Sequence, residues 1–226
     1  RFSGCKLRKE KRKKIKIILA AFFSAFLFAA CSPKISLAAK DLDSVEIKFS
    51  TAFPEDTAKA LRQMTGAGDE IPIFAEADIK NLLSQAQAQD AEVSVPSSNE
   101  LLSSGTIRNV PQNVLSKCKI IGKTSDSLSF SLGAEQFQAF YSLLSEEFKS
   151  YFDLMMIPCL IGEKMTAAEY EQLLSSMYGP TFAKDVVSGT LEISLSSPDG
   201  KKTLKDTISL GEILTLSETK TWKISW

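Results

Sequence analysis

The most constraining stretch of this chain is its start. Residues 1–14, RFSGCKLRKEKRKK, are strongly basic, and residues 15–28 form an apolar run broken only by Lys16 and Ser24. A charged start, an apolar stretch of about 7–15 residues and small residues behind it describe a secretory signal. The run is short of the ~20 apolar residues a spanning helix needs. What folds must therefore come after it. With a short tether to about Asp43 also set aside, about 180 residues remain, enough for one domain or two small, closely packed ones.

The formal net charge of zero hides an asymmetry. Arg1, Lys6, Arg8, Lys9, Lys11, Arg12, Lys13, Lys14 and Lys16 face a single acid, Glu10, in residues 1–31. The remainder carries 18 basic against 26 acidic residues. An acidic body argues against nucleic acid as a partner, because phosphate binding needs a basic face. The sequence holds no histidine. That removes Ser-His-Asp and Cys-His catalysis, and every His-ligated metal site. No metal and no cofactor are expected.

Behind the apolar run stand Leu27, Phe28, Ala29, Ala30 and Cys31. Small residues ending in Cys resemble the lipobox of bacterial lipoproteins, with Phe28 departing from the usual aliphatic residue three places before the Cys. The resemblance implies cleavage between Ala30 and Cys31, a diacylglyceryl group on the Cys31 thiol and acylation of the new amine. Several acyl chains give stable attachment to a membrane. The implied organisation is a signal peptide over 1–30, a lipidated tether over 31–43 and an α+β body over 44–226. That body is read as one domain or as packed subdomains over 44–132 and 133–226. An uncleaved anchor and plain secretion are the alternatives. The segments KFSTAFPEDTAKAL and SPDGKKT make the body similar to uncharacterised lipoproteins of host-associated spirochaetes, a resemblance that brings no activity with it.

The body reads as largely antiparallel sheets with helices packed on one face. Val45-Glu46-Ile47-Lys48-Phe49 alternates like a half-buried strand. Pro54, Glu55 and Asp56 open a helix that stops at Gly66 and Gly68. A second helix spans about 76–88, with residues 85–89 as its polar tail. Strands follow at 92–95 and 101–108, then at 119–121 and 127–132. Residues 134–157 carry aromatics at helical spacing. Thr166 and Glu169 match a capping box, and that helix stops at Gly179-Pro180. Strands at 190–195 and 203–209 flank the turn Ser197-Pro198-Asp199-Gly200. An alternating strand holding Trp222 and Trp226 closes the chain.

Cys118 and Cys159 are the cysteines of the body. In an oxidising compartment they can pair, and their apolar neighbourhoods fit two buried free thiols equally well. Leu154, Met155, Met156, Ile157, Leu160 and Ile161 form the most apolar stretch. It reads as a core helix end stopped by Pro158, or as an adaptable surface for a hydrophobic ligand or protein partner. The spacing S-x-x-K occurs at Ser3, Ser116 and Ser217, about as often as 29 serines and 22 lysines produce by chance. The functional expectation is a membrane-anchored, non-catalytic envelope lipoprotein that binds a ligand or partner. A surface-exposed, host-interacting antigen or adhesin is the alternative, and an envelope hydrolase a weaker one.

Overall fold

The computed structural model describes residues 33–65, 72–142, 153 and 155–226. The leader with Ala30 and Cys31, the helix stop at Gly66 and Gly68, Leu154 and much of the expected 134–157 helix lie outside these residues.

Alternation at period two builds the main sheet. Strand β2 (Val45–Ala52) buries Val45, Ile47, Phe49 and Thr51 and turns Glu46, Lys48 and Ser50 outward. It pairs antiparallel with β1 (Lys34–Ala39), placing Ile35 opposite Phe49 and Leu37 opposite Ile47. On its other edge β2 pairs with β4 (Glu100–Ile107), which pairs with β3 (Ala88–Ser97). Gly105 lets this hairpin close: a Cβ there would meet that of Ala88 at 3.0 Å. β1 pairs parallel with β7 (Thr190–Ser196), which carries β8 (Thr203–Ser209) antiparallel. The order is β3-β4-β2-β1-β7-β8. A second sheet runs β5 (Ile121–Lys123), β6 (Ser127–Leu132), β9 (Lys220–Ser225), all antiparallel.

Helices cover one face of the main sheet. α1 (Glu55–Thr65) starts on acids that suit the positive helix end, and buries Ala58 and Leu61. α2 (Glu76–Gln85) lies against β3. The single turn α3 (Val114–Lys117) is capped by the Asn113 side chain, and α4 (Ala134–Tyr141) buries Phe137. Then come α5 (Pro158–Ile161), α6 (Ala167–Tyr178), α7 (Pro180–Ser188) and α8 (Leu210–Leu214). α6 carries the full Thr166–Glu169 capping box. Its Tyr170, buried, donates to the Met155 carbonyl. α7 packs on α1, α6 and α8. One apolar core joins these helices to both sheets. The fold is α+β with helices on one face of a mostly antiparallel sheet.

The structure corrects several sequence readings. The stretch 31–43 is not a tether over its described part: Lys34–Ala39 is an interior strand, with Leu37 and Ala39 1% exposed. Both sheets draw strands from either side of residue 132, so 132/133 does not separate two subdomains. Ala88 and Gln89 begin β3 rather than ending a helix. Gly179-Pro180 stops α6 but also starts α7, because Pro suits the first helical turn. Pro158 does the same for α5.

Candidate functional site

The second face of the main sheet is open. An antiparallel sheet can pack one face on a core and leave the other to water. Here the outward residues line a broad trough of about 1380 Å³ running across all six strands. The strand registers align them in transverse rows. The first row runs Ser94, Leu102, Ser50, Lys34, Glu192, Thr207. The middle row runs Glu92, Ser104, Lys48, Ser36, Ser194, Lys205. Beyond the trough's lining, a third row on the same face runs Gln89, Thr106, Glu46, Ala38, Ser196, Thr203. Ser36, Ser50, Ser104 and Ser194 are half-buried, and α2 contributes Lys80 to the rim.

Several charges on this face are paired in place. Lys34 Nζ lies 3.0 Å from Glu192 Oε2 across the β1–β7 pair. Glu46 receives Lys40 at 2.7 Å and Lys48 at 3.2 Å. The Lys40 ammonium first, opposed by burial and seconded by Lys48, holds the Glu46 carboxyl below its ordinary range. Lys80 pairs with Glu76 one helical turn away. The result is a mixed-charge, hydroxyl-rich surface on an acidic body. Five interstrand gaps of about 4.8 Å make it roughly 24 Å wide. Drug-sized ligand pockets fall at about 300–1,000 Å³, so the trough has the scale of a macromolecular segment. Phe49 borders it but is buried in the core.

The residues singled out in the sequence fall elsewhere. Cys118 and Cys159 are buried free thiols, so the disulfide alternative is not realised. Burial pushes the Cys159 thiol up to about 12 and raises that of Cys118. The apolar stretch does not form a continuous surface: Met155 and Ile157 are each 1% exposed, and Leu160 is half-buried. Met156, with φ 45°, and Ile161 remain outside. Ile157 precedes Pro158 with extended backbone and turns the chain into α5, whose first turn buries Pro158 and Cys159 and leaves Ile161 outside. In the S-x-x-K motifs, Ser116 Oγ is buried without a partner while Lys119 reaches Glu135. Lys220 is bonded to Glu212 at 3.0 Å and lies over the Trp222 ring. Trp222 is core, and Trp226 packs partly buried against it. Among the described residues, no group of three or more Cys, Asp or Glu is placed to hold a metal ion, and no helix is long and apolar enough to cross a membrane.

The trough is legible only after the strands are ordered, because each row takes one residue from each of six strands. Its sole trace in the sequence is that the off-core positions of β1, β2, β4 and β7 are mostly Ser, Thr, Lys or Glu. Fold and site define an α+β domain with an open polar sheet face. Comparison with known proteins finds no matching family model, no similar curated protein and no similar solved structure.

Proposed function

We propose that the chain is a lipid-anchored envelope lipoprotein whose domain binds, without catalysis, an extended polypeptide segment of mixed charge along the open sheet face. The observation that carries the binding half is the trough, with its alternating Lys, Glu and Ser rows and its macromolecular scale. Mixed-sign rows match a segment that presents both charges, and serine hydroxyls both donate and accept hydrogen bonds to a peptide backbone. A width of roughly 24 Å accommodates about seven extended residues at about 3.3 Å each. The lipobox-like Ala30–Cys31 junction supports the anchoring half.

Two measurements test this. Fatty-acid labelling with intact mass compares wild type with Cys31→Ser. A labelled wild type lacking residues 1–30, beside an unlabelled variant, is expected; an unlabelled, full-length wild type ends the anchoring reading. Mixed-charge peptide arrays compare wild type with Ser36→Tyr/Ser194→Tyr, which fills the middle row. Binding that the double variant abolishes is expected. Binding that survives it, or appears only on glycan arrays, ends the trough reading. Protease treatment of intact cells then separates an inward-facing protein from a surface antigen.

A further inference from the structure

The fold begins immediately behind residue 32. Pro33 is buried, and its carbonyl accepts the Glu192 N–H at 2.8 Å. The next residue, Lys34, already stands in β1 between β2 and β7. Only Ser32 separates Pro33 from Cys31. Two Cα steps of about 3.8 Å each put the Cys31 Cα within about 8 Å of the Pro33 Cα. No length of chain is left to act as a spacer.

Resting on the lipoprotein reading, we infer that the lipid on Cys31 seats the domain directly on the bilayer, with one end of the main sheet against the headgroups. The anchor enters below an interior strand, not at a corner, so the strand ends on both sides of β1 share the contact. At this end β7 starts and β2 finishes, and the β3–β4 turn at Ser98 and Asn99 closes. Lys34, Ala52, Pro54, Glu55 and Ser97 are exposed there. The opposite end carries the β1–β2 turn, where Leu42 is 78% exposed, and the β7–β8 turn with Asp199. Six residues of β1 at about 3.3 Å each carry Leu42 roughly 20 Å from the anchor. The strands lead away from the membrane, and the trough opens sideways along it. Its partner would then be another molecule held at the same surface.

The test uses the full chain, matured in cells and reconstituted into phosphatidylcholine vesicles doped with a headgroup-nitroxide lipid. Cys118 and Cys159 are buried, so a thiol-reactive fluorophore goes to an introduced surface cysteine. Ser97→Cys probes the anchored end, and Leu42→Cys and Asp199→Cys the far end. Quenching several-fold stronger at residue 97 than at 42 and 199 is expected. A Gly/Ser insertion between Ser32 and Pro33 should equalise the three without releasing the protein from vesicles. Equal, weak quenching in the fatty-acylated chain lacking the insertion overturns the seating alone. A chain that carries no fatty acid and stays off the vesicles overturns the lipoprotein reading and the seating with it.

Discussion

Trp222 donates its indole N–H to Asp206 Oδ2 at 2.6 Å, a polar bond between the three-stranded and six-stranded sheets. Asp206 sits opposite Ile193 in the β7–β8 pair and is exposed, and Trp222 stacks on Phe130 with ring centroids 5.7 Å apart. The indole, then the Thr207 N–H, hold the Asp206 carboxyl below its ordinary range. A depressed carboxylate contributes stability above the unfolded pKa of about 3.9 and loses it as pH falls toward the folded value. Asp206 is exposed, so water screens the pair, and Asp206→Leu should cost under about 1 kcal/mol at neutral pH. Asp206→Asn should cost less and flatten the acid limb below about pH 4. Urea titrations at pH 7 and pH 3 check both; an unchanged acid limb in Asp206→Asn would refute the linkage.

A second polar joint fastens α1 to the β3–β4 turn. Arg62, 3% exposed, donates to Asn99 Oδ1 at 2.5 Å and toward the Ser98 carbonyl at 3.4 Å. Asn99 Nδ2 in turn donates to Glu55 Oε2 at 2.6 Å. Asn99→Ala withdraws an acceptor from a buried guanidinium and should cost about 2–3 kcal/mol. Glu55 is exposed and 4.0 Å from the Arg62 guanidinium, so Glu55→Ala should cost under about 1 kcal/mol. Chemical denaturation of the two variants gives the order; a reversed order contradicts the joint.

Thr51 Oγ1 and Ser103 Oγ are buried on the core face without a hydrogen-bond partner. Thr51→Val keeps the shape and removes a desolvated hydroxyl, so it should raise stability by about 1 kcal/mol. A lower melting temperature than wild type would show that the hydroxyl is satisfied.

Because β1 is interior, its removal is not the trimming of a tail. A chain starting at residue 44 lacks the partner of both β2 and β7 and should fail to fold. One starting at Pro33 should give a cooperative thermal transition. Circular dichroism of the two decides; a folded chain from residue 44 would make β1 dispensable.

Cys159 predicts an alkaline limb. Its thiol is raised from the ordinary 9.0 to about 12 by burial, so the folded protein keeps a proton that the unfolded chain loses. The raised value means full stability below pH 9.0 and loss as pH climbs toward about 12. At about 1.4 kcal/mol per pH unit the whole effect is at most about 4 kcal/mol. Burial raises the Tyr170 phenol as well, adding a loss of the same sign at higher pH. Cys159→Ala should shrink the decline just above pH 9; an identical decline would place its cause elsewhere.

Elements with strong local signals are readable from the sequence: the alternation of β2, the Thr166 capping box of α6 and the Asp199-Gly200 turn before β8. β1 carries the same alternation as β2, but Ser36, Ala38 and Ala39 give it little apolar contrast, and its position just behind a lipobox-like sequence favours a linker reading. α8 follows Ser209, whose hydroxyl accepts the Glu212 N–H; Ser-x-x-Glu was a usable start signal beside a helix too short to show a period. The trough has no local signature, because register, not composition, brings Lys48, Ser36, Ser194 and Lys205 into one row.

The parallel seam between β1 and β7 also sets the order in which the chain can mature. Lys34 faces Glu192, so the first strand to be synthesised waits for one of the last. Loop-closure entropy makes pairings of such long separation slow to form. Until β7 arrives, β1 and its hairpin partner β2 present a bare edge open to wrong pairings. The chain is thus most exposed to aggregation while its final third is still being made, with β1 already present and β7 still absent.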